Sequence, residues 1–228
     1  MVVANIVING LSSGETSAIK SARGKFIITL DADLSHNPYI IKRLFSKRHS
    51  AHIVIASRYV KGGLANMPLS RRILSMVLNR FLCFALSLPL RDISSGFRLY
   101  NAEIFNEIDF SERNFNVLVE ILVKAYMNGF KVKEIPFHYQ PRSKGKSHAK
   151  IINFGLGFLR TFIKLWKIRN TIASADYDDR AFDSRIPMQR FWQRQRYKII
   201  CSFSGYQRCV LDAGCGSSKI LGALPQAI

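Results

Sequence analysis

Acidic side chains are scarce in this chain of 228 residues, which has 15 Asp and Glu against 34 Lys and Arg and a formal net charge of +19. Residues 34–91 and 135–175 contain no acid at all. Such a balance excludes an acidic solvating tail and indicates an anionic partner: nucleic acid, a phosphorylated small molecule or an anionic membrane surface. Charge alone does not choose among these partners.

Paired cysteines and uninterrupted apolar runs are also missing. The four cysteines show no CxxC spacing and no His at metal-ligand spacing, so we expect free thiols in a reducing compartment. We expect no signal peptide before the fold. Residues 73–90 are apolar, but Arg80 interrupts them and their apolar positions form a helical stripe, which predicts a buried or interfacial helix rather than a membrane span. The 48% hydrophobic content suffices for one sizeable core, or for one domain and a piece of another.

An apolar strand over residues 26–30 is followed by two carboxylates, Asp31 and Asp33. Side chains two positions apart point the same way on an extended backbone, so both can face one ion at the strand's end. Mg²⁺ is usually held by one or two carboxylates and by substrate phosphates, so the pair suggests a metal-bound diphosphate. A DxD turn that merely ends a strand is the alternative. The basic segment that follows, residues 34–91, favours the metal reading. It attracts phosphates, which the two carboxylates would repel unless a cation lay between them.

Helical and strand-like segments alternate along the first two thirds of the chain. We expect helices at residues 17–22, 39–45 and 115–128, and strands at 26–30, 52–56 and 131–139. This alternation predicts a mostly parallel α/β sheet, whose ligands lie beyond the carboxyl ends of the strands. Asp33 and Arg58 then share that edge.

Two further segments suit anionic ligands. Residues 92–98 (DISSGFR) bring hydroxyls, backbone N–H groups and a guanidinium together, as a phosphate cradle or as an ordinary polar turn with an ion pair. Residues 142–150 (RSKGKSHAK) open a helix that should end near residue 168, with Arg160, Lys164 and Lys167 on one face. That pattern is typical of a membrane-interface helix, in which each base contributes roughly 1 kcal/mol near an anionic leaflet. A solvated basic face over a core is an equal alternative, and no stacking-platform motif supports specific nucleic-acid binding.

In this order, the segments resemble family 2 glycosyltransferases of the dolichol-phosphate mannose synthase type. The resemblance covers about residues 10–170 and rests on residues 22–25 (ARGK), 30–38 (LDADLSHNP), 56–63 (ASRYVKGG), 91–100 (RDISSGFRLY), Glu120, 134–136 (EIP), Arg142 and 145–147 (GKS). It implies a GT-A-type, Rossmann-like sheet. It also implies transfer of mannose or glucose from GDP-mannose or UDP-glucose to a polyprenyl or dolichyl phosphate, by a protein bound peripherally to the cytoplasmic face of a membrane.

The resemblance also implies roles for individual residues. Asp31 and Asp33 would hold Mg²⁺ or Mn²⁺, with Ser35 near a third ligand position. A lipid phosphate is already ionised at neutral pH, so the attack needs no strong base, and Asp92 is expected to orient Arg98 or the acceptor. The implied catalytic set is Asp31, Asp33, Asp92 and Arg98. The implied substrate contacts are Arg58, Ser95, Gly96, Arg98, Arg142, Lys146 and Ser147.

Both ends of the chain depart from the family pattern. The DxD begins at residue 31, so we expect an N-terminally truncated domain at residues 1–170, with the nucleoside pocket absent or rebuilt from residues 2–9. A linker and helix follow at 171–208. Residues 209–218 (CVLDAGCGSS) resemble the first motif of class I S-adenosylmethionine methyltransferases, where Asp212, Gly214 and Gly216 would approach the cofactor. We therefore expect residues 209–228 to be the first strand and turn of an incomplete second α/β domain, with S-adenosylmethionine bound only in a full-length parent.

A rival hypothesis from another class of protein stays open. A catalytically inactive fragment would keep the basic helix and bind an anionic membrane surface or nucleic acid. Metal-dependent release of a nucleoside diphosphate separates the two hypotheses, because the inactive fragment predicts none.

Overall fold

The computed structural model describes residues 3–8, 19, 21–31, 35–112, 116–140, 151–205, 207, 209–211, 217 and 219–224. The chain divides into two compact units, Met1–Arg169 and Asn170–Ile228.

A five-stranded sheet in the order β1-β2-β5-β3-β6 forms the centre of the first unit, beside a two-stranded sheet of β4 and β7. The strands are β1 (Val3–Ile8), β2 (Phe26–Asp31), β3 (Ile53–Ser57), β4 (Leu64–Ala65), β5 (Arg98–Asn101), β6 (Val132–Pro136) and β7 (His138–Tyr139). β1 is parallel to β2 and β3 is parallel to β6, whereas β5 runs antiparallel to both β2 and β3. Four strands therefore end at one edge of the sheet, and β5 begins there.

Alternating side chains give the sheet an apolar layer on each face. Ile27 of β2 belongs to one buried cluster and Ile28 to another, as expected for neighbours that point to opposite faces. The first cluster includes the helix-borne Leu122 and Leu165, and the second includes Leu44. The sheet is thus covered on both sides, which holds its carboxyl edge in a fixed geometry.

Five helices of the first unit are described: α1 (Tyr39–Ser46), α2 (Leu69–Ala85), α3 (Ile104–Glu107), α4 (Asn116–Met127) and α5 (Ile151–Arg169). The expected helices at 39–45 and 115–128 and the strand at 52–56 agree with α1, α4 and β3. The expected helix at 17–22 falls mostly outside the described residues.

Two strand expectations need correction. Residues 131–139 do not form one strand, because the chain leaves the main sheet after Pro136 and pairs again as β7 with β4. The strands β1, β4 and β5 were missed, and of these β5 lies between β2 and β3. Its first residue is Arg98, and a charged side chain is a poor signal for a central strand.

Helix α2 turns most of its apolar side chains outward. Its buried residues are Asn79, Leu82 and Cys83, whereas Leu74 is 69% exposed and Phe81 57%. Helix α5 likewise exposes Leu159, Ile163 and Trp166, and the rings of Phe81 and Phe162 lie 6.3 Å apart. Of the apolar segment predicted over residues 73–90, the part within α2 from Ile73 to Phe84 is therefore mostly external, whereas Leu86, Leu88 and Leu90 are buried. Within the described ranges, no helix has the length and apolar character needed to cross a membrane.

The second unit contains α6 (Tyr177–Phe182), α7 (Pro187–Ser204) and α8 (Ile220–Ala223). Phe182 packs edge-on against Tyr197 at 5.4 Å, and Lys219 Nζ lies 4.6 Å from the centre of the Phe182 ring. The helix expected within residues 171–208 corresponds to α7. Of residues 209–211, Val210 forms an isolated bridge rather than the expected strand. Asp212, Gly214 and Gly216 lie outside the described residues, so the methyltransferase resemblance stays a prediction.

Candidate active site

The turn at residues 94–96 lies across the carboxyl edge of the main sheet. Ser95 Oγ donates a hydrogen bond to Ala56 O of β3 at 2.6 Å, and Thr29 Oγ1 of β2 donates to Gly96 O at 2.7 Å. Ala56 N also donates to Phe97 O at 2.9 Å. These bonds fix the predicted Ser95 and Gly96 turn against β2 and β3, the two strands on either side of β5.

Asp31 ends β2 beside this turn. Its side chain is 41% exposed, and a Cβ added to Gly96 would lie 3.5 Å from Asp31 Oδ1. The backbone N–H of Asp31 donates to His36 Nδ1 at 2.9 Å, and His36 Nε2 lies 3.7 Å from Asp31 Oδ2. The His36 ring stacks on Phe97 at 4.8 Å. The carboxylate is therefore partly open to solvent, while the backbone that carries it is held in place.

This environment fits one half of the predicted metal site. Asp31 offers the hard, anionic oxygen that Mg²⁺ and Mn²⁺ prefer, at the end of a rigid strand. Ser35, which follows in the chain, is buried. Asp33 lies outside the described residues. The described part of the chain contains no group of three or more His, Cys, Asp or Glu placed to hold a metal. A metal here would rest on Asp31 together with Asp33.

Arg58 follows β3 and forms a buried ion pair with Asp92. Arg58 Nε and Nη2 donate to the two Asp92 oxygens, both at 2.8 Å, and the Arg58 backbone N–H adds a third bond at 3.0 Å. The Asp92 side chain has no exposure and that of Arg58 has 13%. Burial alone would raise the pKa of Asp92, but the hydrogen bonds and charge of Arg58, helped by Ser94, hold that pKa below its ordinary value.

The Asp92 segment is itself held by Glu134 of β6. Glu134 Oε1 accepts from the backbone N–H of Asp92 and Oε2 from that of Arg91, both at 2.9 Å. Burial raises the pKa of Glu134 and the nearby charge of Asp92 adds to the rise, although hydrogen bonds from Ser57 and from these two N–H groups oppose it. Asp92 thus has Arg58 as its counter-charge and Glu134 as a nearby carboxylate.

Arg98 lies under the turn rather than at the surface. Its side chain is fully buried, and the guanidinium donates to three carbonyls: Ser95 O at 2.7 Å, Leu118 O at 2.7 Å and Ile93 O at 2.6 Å. A contact with an acceptor phosphate would require Arg98 to break these bonds. Asp92 was expected to orient Arg98 or the acceptor; its hydrogen bonds from an arginine side chain come from Arg58, and those described for Arg98 go to carbonyls.

The remaining predicted substrate residues, Arg142, Lys146 and Ser147, lie outside the described residues. Glu134 and Asn79 were not among the predicted site residues. Glu134 belonged to a quoted motif but had no assigned role. Asn79 hydrogen-bonds Ser94 and lies on the buried side of α2 with Leu82 and Cys83; an uncharged polar residue beside these apolar ones was the available signal.

Together, the covered sheet, the acid at the end of β2 and the turn opposite it define an α/β fold of the GT-A type. The glucosyl-3-phosphoglycerate synthase of Mycobacterium tuberculosis, crystallised with Mn²⁺, uridine diphosphate and phosphoglyceric acid, superposes with a TM-score of 0.52 at 10% identity over 70% of this chain and 56% of that chain. The same enzyme with Mn²⁺ and UDP-glucose gives a TM-score of 0.50 at 11% identity, over 66% of this chain and 52% of that one. At such low identity the likeness concerns the fold.

Sequence similarity then narrows the class of protein. Residues 3–109 match the family model described as glycosyl transferase family 2. A dolichol-phosphate mannosyltransferase of Pyrococcus furiosus is 35% identical over 147 residues, covering 62% of this chain and 41% of that protein. A polyprenol monophosphomannose synthase of Mycolicibacterium smegmatis is 31% identical over 154 residues, covering 65% of this chain and 57% of that protein. This chain thus spans about half the length of these curated relatives.

Proposed function

We propose that this chain transfers a hexose from a nucleotide sugar to a polyprenyl phosphate, with a divalent cation at Asp31 and Asp33. The observation that carries the proposal is the arrangement at the carboxyl edge of the sheet. A partly exposed carboxylate, Asp31, adjoins the Gly96 turn, and the neighbouring loop holds the Arg58 guanidinium in a fixed ion pair. Such a site offers an oxygen ligand for a cation and a preorganised positive charge for a phosphate.

The comparisons guide the choice of donor and acceptor. The names of the two relatives specify mannose and a polyprenol or dolichol acceptor, whereas the structural neighbours bind uridine diphosphate or UDP-glucose. Both GDP-mannose and UDP-glucose are therefore donors to test. The acceptor is the same in both cases, a polyprenyl phosphate with an ionised oxygen.

The chemistry needs positioning more than proton transfer. An oxygen of the lipid phosphate attacks the anomeric carbon of the sugar; a new carbon–oxygen bond forms there as the bond to the nucleoside diphosphate breaks. A divalent cation, when bound, supplies charge neutralisation for the departing diphosphate. The attacking oxygen carries no proton at neutral pH, so no general base is required and orientation supplies much of the rate.

The residues divide into direct contacts and supports in this proposal. Arg58, with Arg142, Lys146 and Ser147, meets the acceptor phosphate. Arg98 donates hydrogen bonds to the carbonyls of Ile93 and Ser95 and so fixes the conformation of the turn. Asp92 is the partner that keeps Arg58 in place rather than a base.

Peripheral attachment to a membrane surface is part of the proposal. The outward apolar faces of α2 and α5 are accompanied by bases, including Arg71, Arg80, Arg160 and Lys167 on the same two helices. An anionic lipid surface complements both features, since apolar side chains enter the interface and each base adds roughly 1 kcal/mol of attraction. Such attachment would bring the site to an acceptor that resides in the bilayer.

Metal-dependent release of nucleoside diphosphate tests the catalytic proposal. The chain is incubated with Mn²⁺, a short polyprenyl phosphate and either donor, and the released GDP or UDP is measured. We expect release that requires both metal and lipid phosphate, and its loss in Asp33→Ala but not in Asp109→Asn, which changes an exposed Asp. Equal turnover by Asp33→Ala would rule out the assigned metal role, and no release from the wild type would favour the inactive-fragment hypothesis.

Vesicle flotation tests the surface attachment separately. Val77→Asp with Phe81→Asp adds two acids to the apolar face of α2, and Asn106→Asp with Asn128→Asp adds the same charge at exposed positions elsewhere. We expect the first pair to release the protein from anionic vesicles and the second pair to leave it bound. Attachment that is indifferent to anionic lipid, or to the α2 substitutions, would contradict this part of the proposal.

A further inference from the structure

Helix α2 has a polar inner side that reaches the active-site loop. Asn79 is 3% exposed and makes three hydrogen bonds. Its Nδ2 donates to Ser75 O at 2.8 Å and to Ser94 Oγ at 2.9 Å, and its Oδ1 accepts from the Ser94 backbone N–H at 3.1 Å. One amide therefore fixes both the backbone and the hydroxyl of Ser94.

Ser94 passes this constraint to the buried ion pair. Its Oγ donates to Asp92 Oδ1 at 3.0 Å and accepts from Arg58 Nη2 at 2.5 Å. The hydroxyl thus touches both members of the pair, and its orientation depends on the Asn79 amide that also contacts it. A second connection runs from Tyr59, next to Arg58, whose hydroxyl donates to Ser75 Oγ at 2.7 Å.

The same helix presents its apolar face in the opposite direction. At 100° per residue, Ser75 and Asn79 lie on one side of α2, and Leu74, Val77 and Phe81 lie on the other. The outer side is exposed and the inner side is hydrogen-bonded to the site. A rigid helix with these two faces links whatever contacts its outer side to the position of Ser94.

We propose that Asn79 is a positioning residue. Through Asn79, α2 fixes the position of Ser94 and so the position of the Arg58 guanidinium, which meets the acceptor phosphate. The inference rests on the proposed function for its catalytic consequence, but the positioning itself is testable without turnover. It further predicts that attachment of the α2 outer face to lipid and the geometry of the phosphate site are coupled, because one helix carries both contacts.

Nuclear magnetic resonance of the Arg58 Nε–H group measures the positioning directly. This proton donates to Asp92 in the wild type and should exchange slowly with water; Arg58→Lys removes and so identifies its signal. Asn79→Leu removes all three hydrogen bonds at similar volume, and Asn79→Asp keeps an acceptor for the Ser94 N–H but loses the Nδ2 donor. Leu82→Ala is the matched control, since it weakens the core packing of the same helix without a polar contact to the loop.

We expect the Arg58 signal to shift and exchange at least tenfold faster in Asn79→Leu, with a smaller change in Asn79→Asp and none in Leu82→Ala. If Asn79→Leu does not fold, Asn79→Asp decides. An Arg58 signal that is unchanged in the folded Asn79 variants overturns the inference, whether or not the chain proves to be a transferase.

Kinetics supply a second readout that distinguishes positioning from loss of folded protein. Displacing a positioning group by about 1 Å can reduce the rate about a hundredfold. We expect Asn79→Asp to lower kcat/KM for the polyprenyl phosphate at least tenfold and to raise its KM, with the KM for the nucleotide sugar unchanged. A lower kcat with both KM values unchanged would mean a smaller folded fraction and would contradict the assigned role.

Discussion

Removing the charge of Asp92 should destabilise the first unit through Arg58. Asp92 is fully buried and accepts three hydrogen bonds from Arg58 and one from Ser94. In Asp92→Asn one carboxylate oxygen becomes an NH₂ group, a hydrogen-bond donor that faces other donors. The Arg58 guanidinium keeps its charge, although only 13% of the Arg58 side chain is exposed to water. Removing one partner of a buried ion pair typically costs about 3–5 kcal/mol. We expect about 3 kcal/mol, since the remaining oxygen still accepts.

The assay is urea unfolding near neutral pH in a Trp192→Phe background. Trp192 belongs to the second unit, so Trp166 then reports on the first unit alone. Asp109→Asn makes the same chemical change at an exposed position and should alter the free energy of unfolding by no more than about 0.5 kcal/mol.

A double-mutant cycle completes the test. Arg58→Gln, Asp92→Asn and the double variant give the coupling energy, which should exceed about 1.5 kcal/mol because the two groups share direct hydrogen bonds. A loss below about 1 kcal/mol in Asp92→Asn, or additive effects in the cycle, would refute the reasoning from the buried pair.

Three further predictions follow from the same geometry. In Gly63→Ala a Cβ would lie 2.7 Å from a backbone oxygen at the end of β3, so urea unfolding should show a loss of about 1–3 kcal/mol, whereas Gly222→Ala, with open space around its Cβ position, should lose nothing. Burial raises the pKa of Cys83 to about 12, so this thiol should resist maleimide at mildly alkaline pH in the folded protein and react only in denaturant, as mass spectrometry of the labelled peptide would show. Burial opposes ionisation of Asp92, but Arg58 lowers the pKa of Asp92 overall. The ionised Asp92 therefore stabilises the fold above about pH 4, and this contribution is lost as the pH falls through the folded-state pKa of Asp92. In the same unfolding assay, Asp92→Asn should lack this acid-induced loss.

The alternation of helix and strand could be predicted from the sequence, because periodicity records which side chains are buried. The α1 helix and the apolar β3 strand are clear in the pattern for this reason. β5 could not be found the same way, since Arg98 is acceptable inside the sheet only because the carbonyls of Ile93, Ser95 and Leu118 surround its guanidinium. The fold brings Leu118 to Arg98 from 20 positions away, so periodicity gives no signal for this arrangement.

The candidate site shows the same limit. The sequence places Asp33 and Arg58 at one sheet edge, because they follow the ends of two predicted strands. It could not show that Asp92 pairs with Arg58, as these residues are 34 positions apart and Arg98 is nearer in the chain. The stripe on α2 likewise fixes which residues share a face but not whether that face is inside or outside.

The central claim is that Asp31 serves a cation at a site that transfers sugar to a lipid phosphate. Its most direct measurement is a single-turnover assay of labelled sugar transfer to a short polyprenyl phosphate at saturating Mn²⁺, comparing the wild type with Asp31→Asn. The account predicts metal-dependent glycolipid formation by the wild type and a rate lower by about a hundredfold or more in Asp31→Asn, since a lost charge-stabilising group typically removes several kcal/mol. Transfer by Asp31→Asn at the wild-type rate, with the same dependence on Mn²⁺, would contradict it.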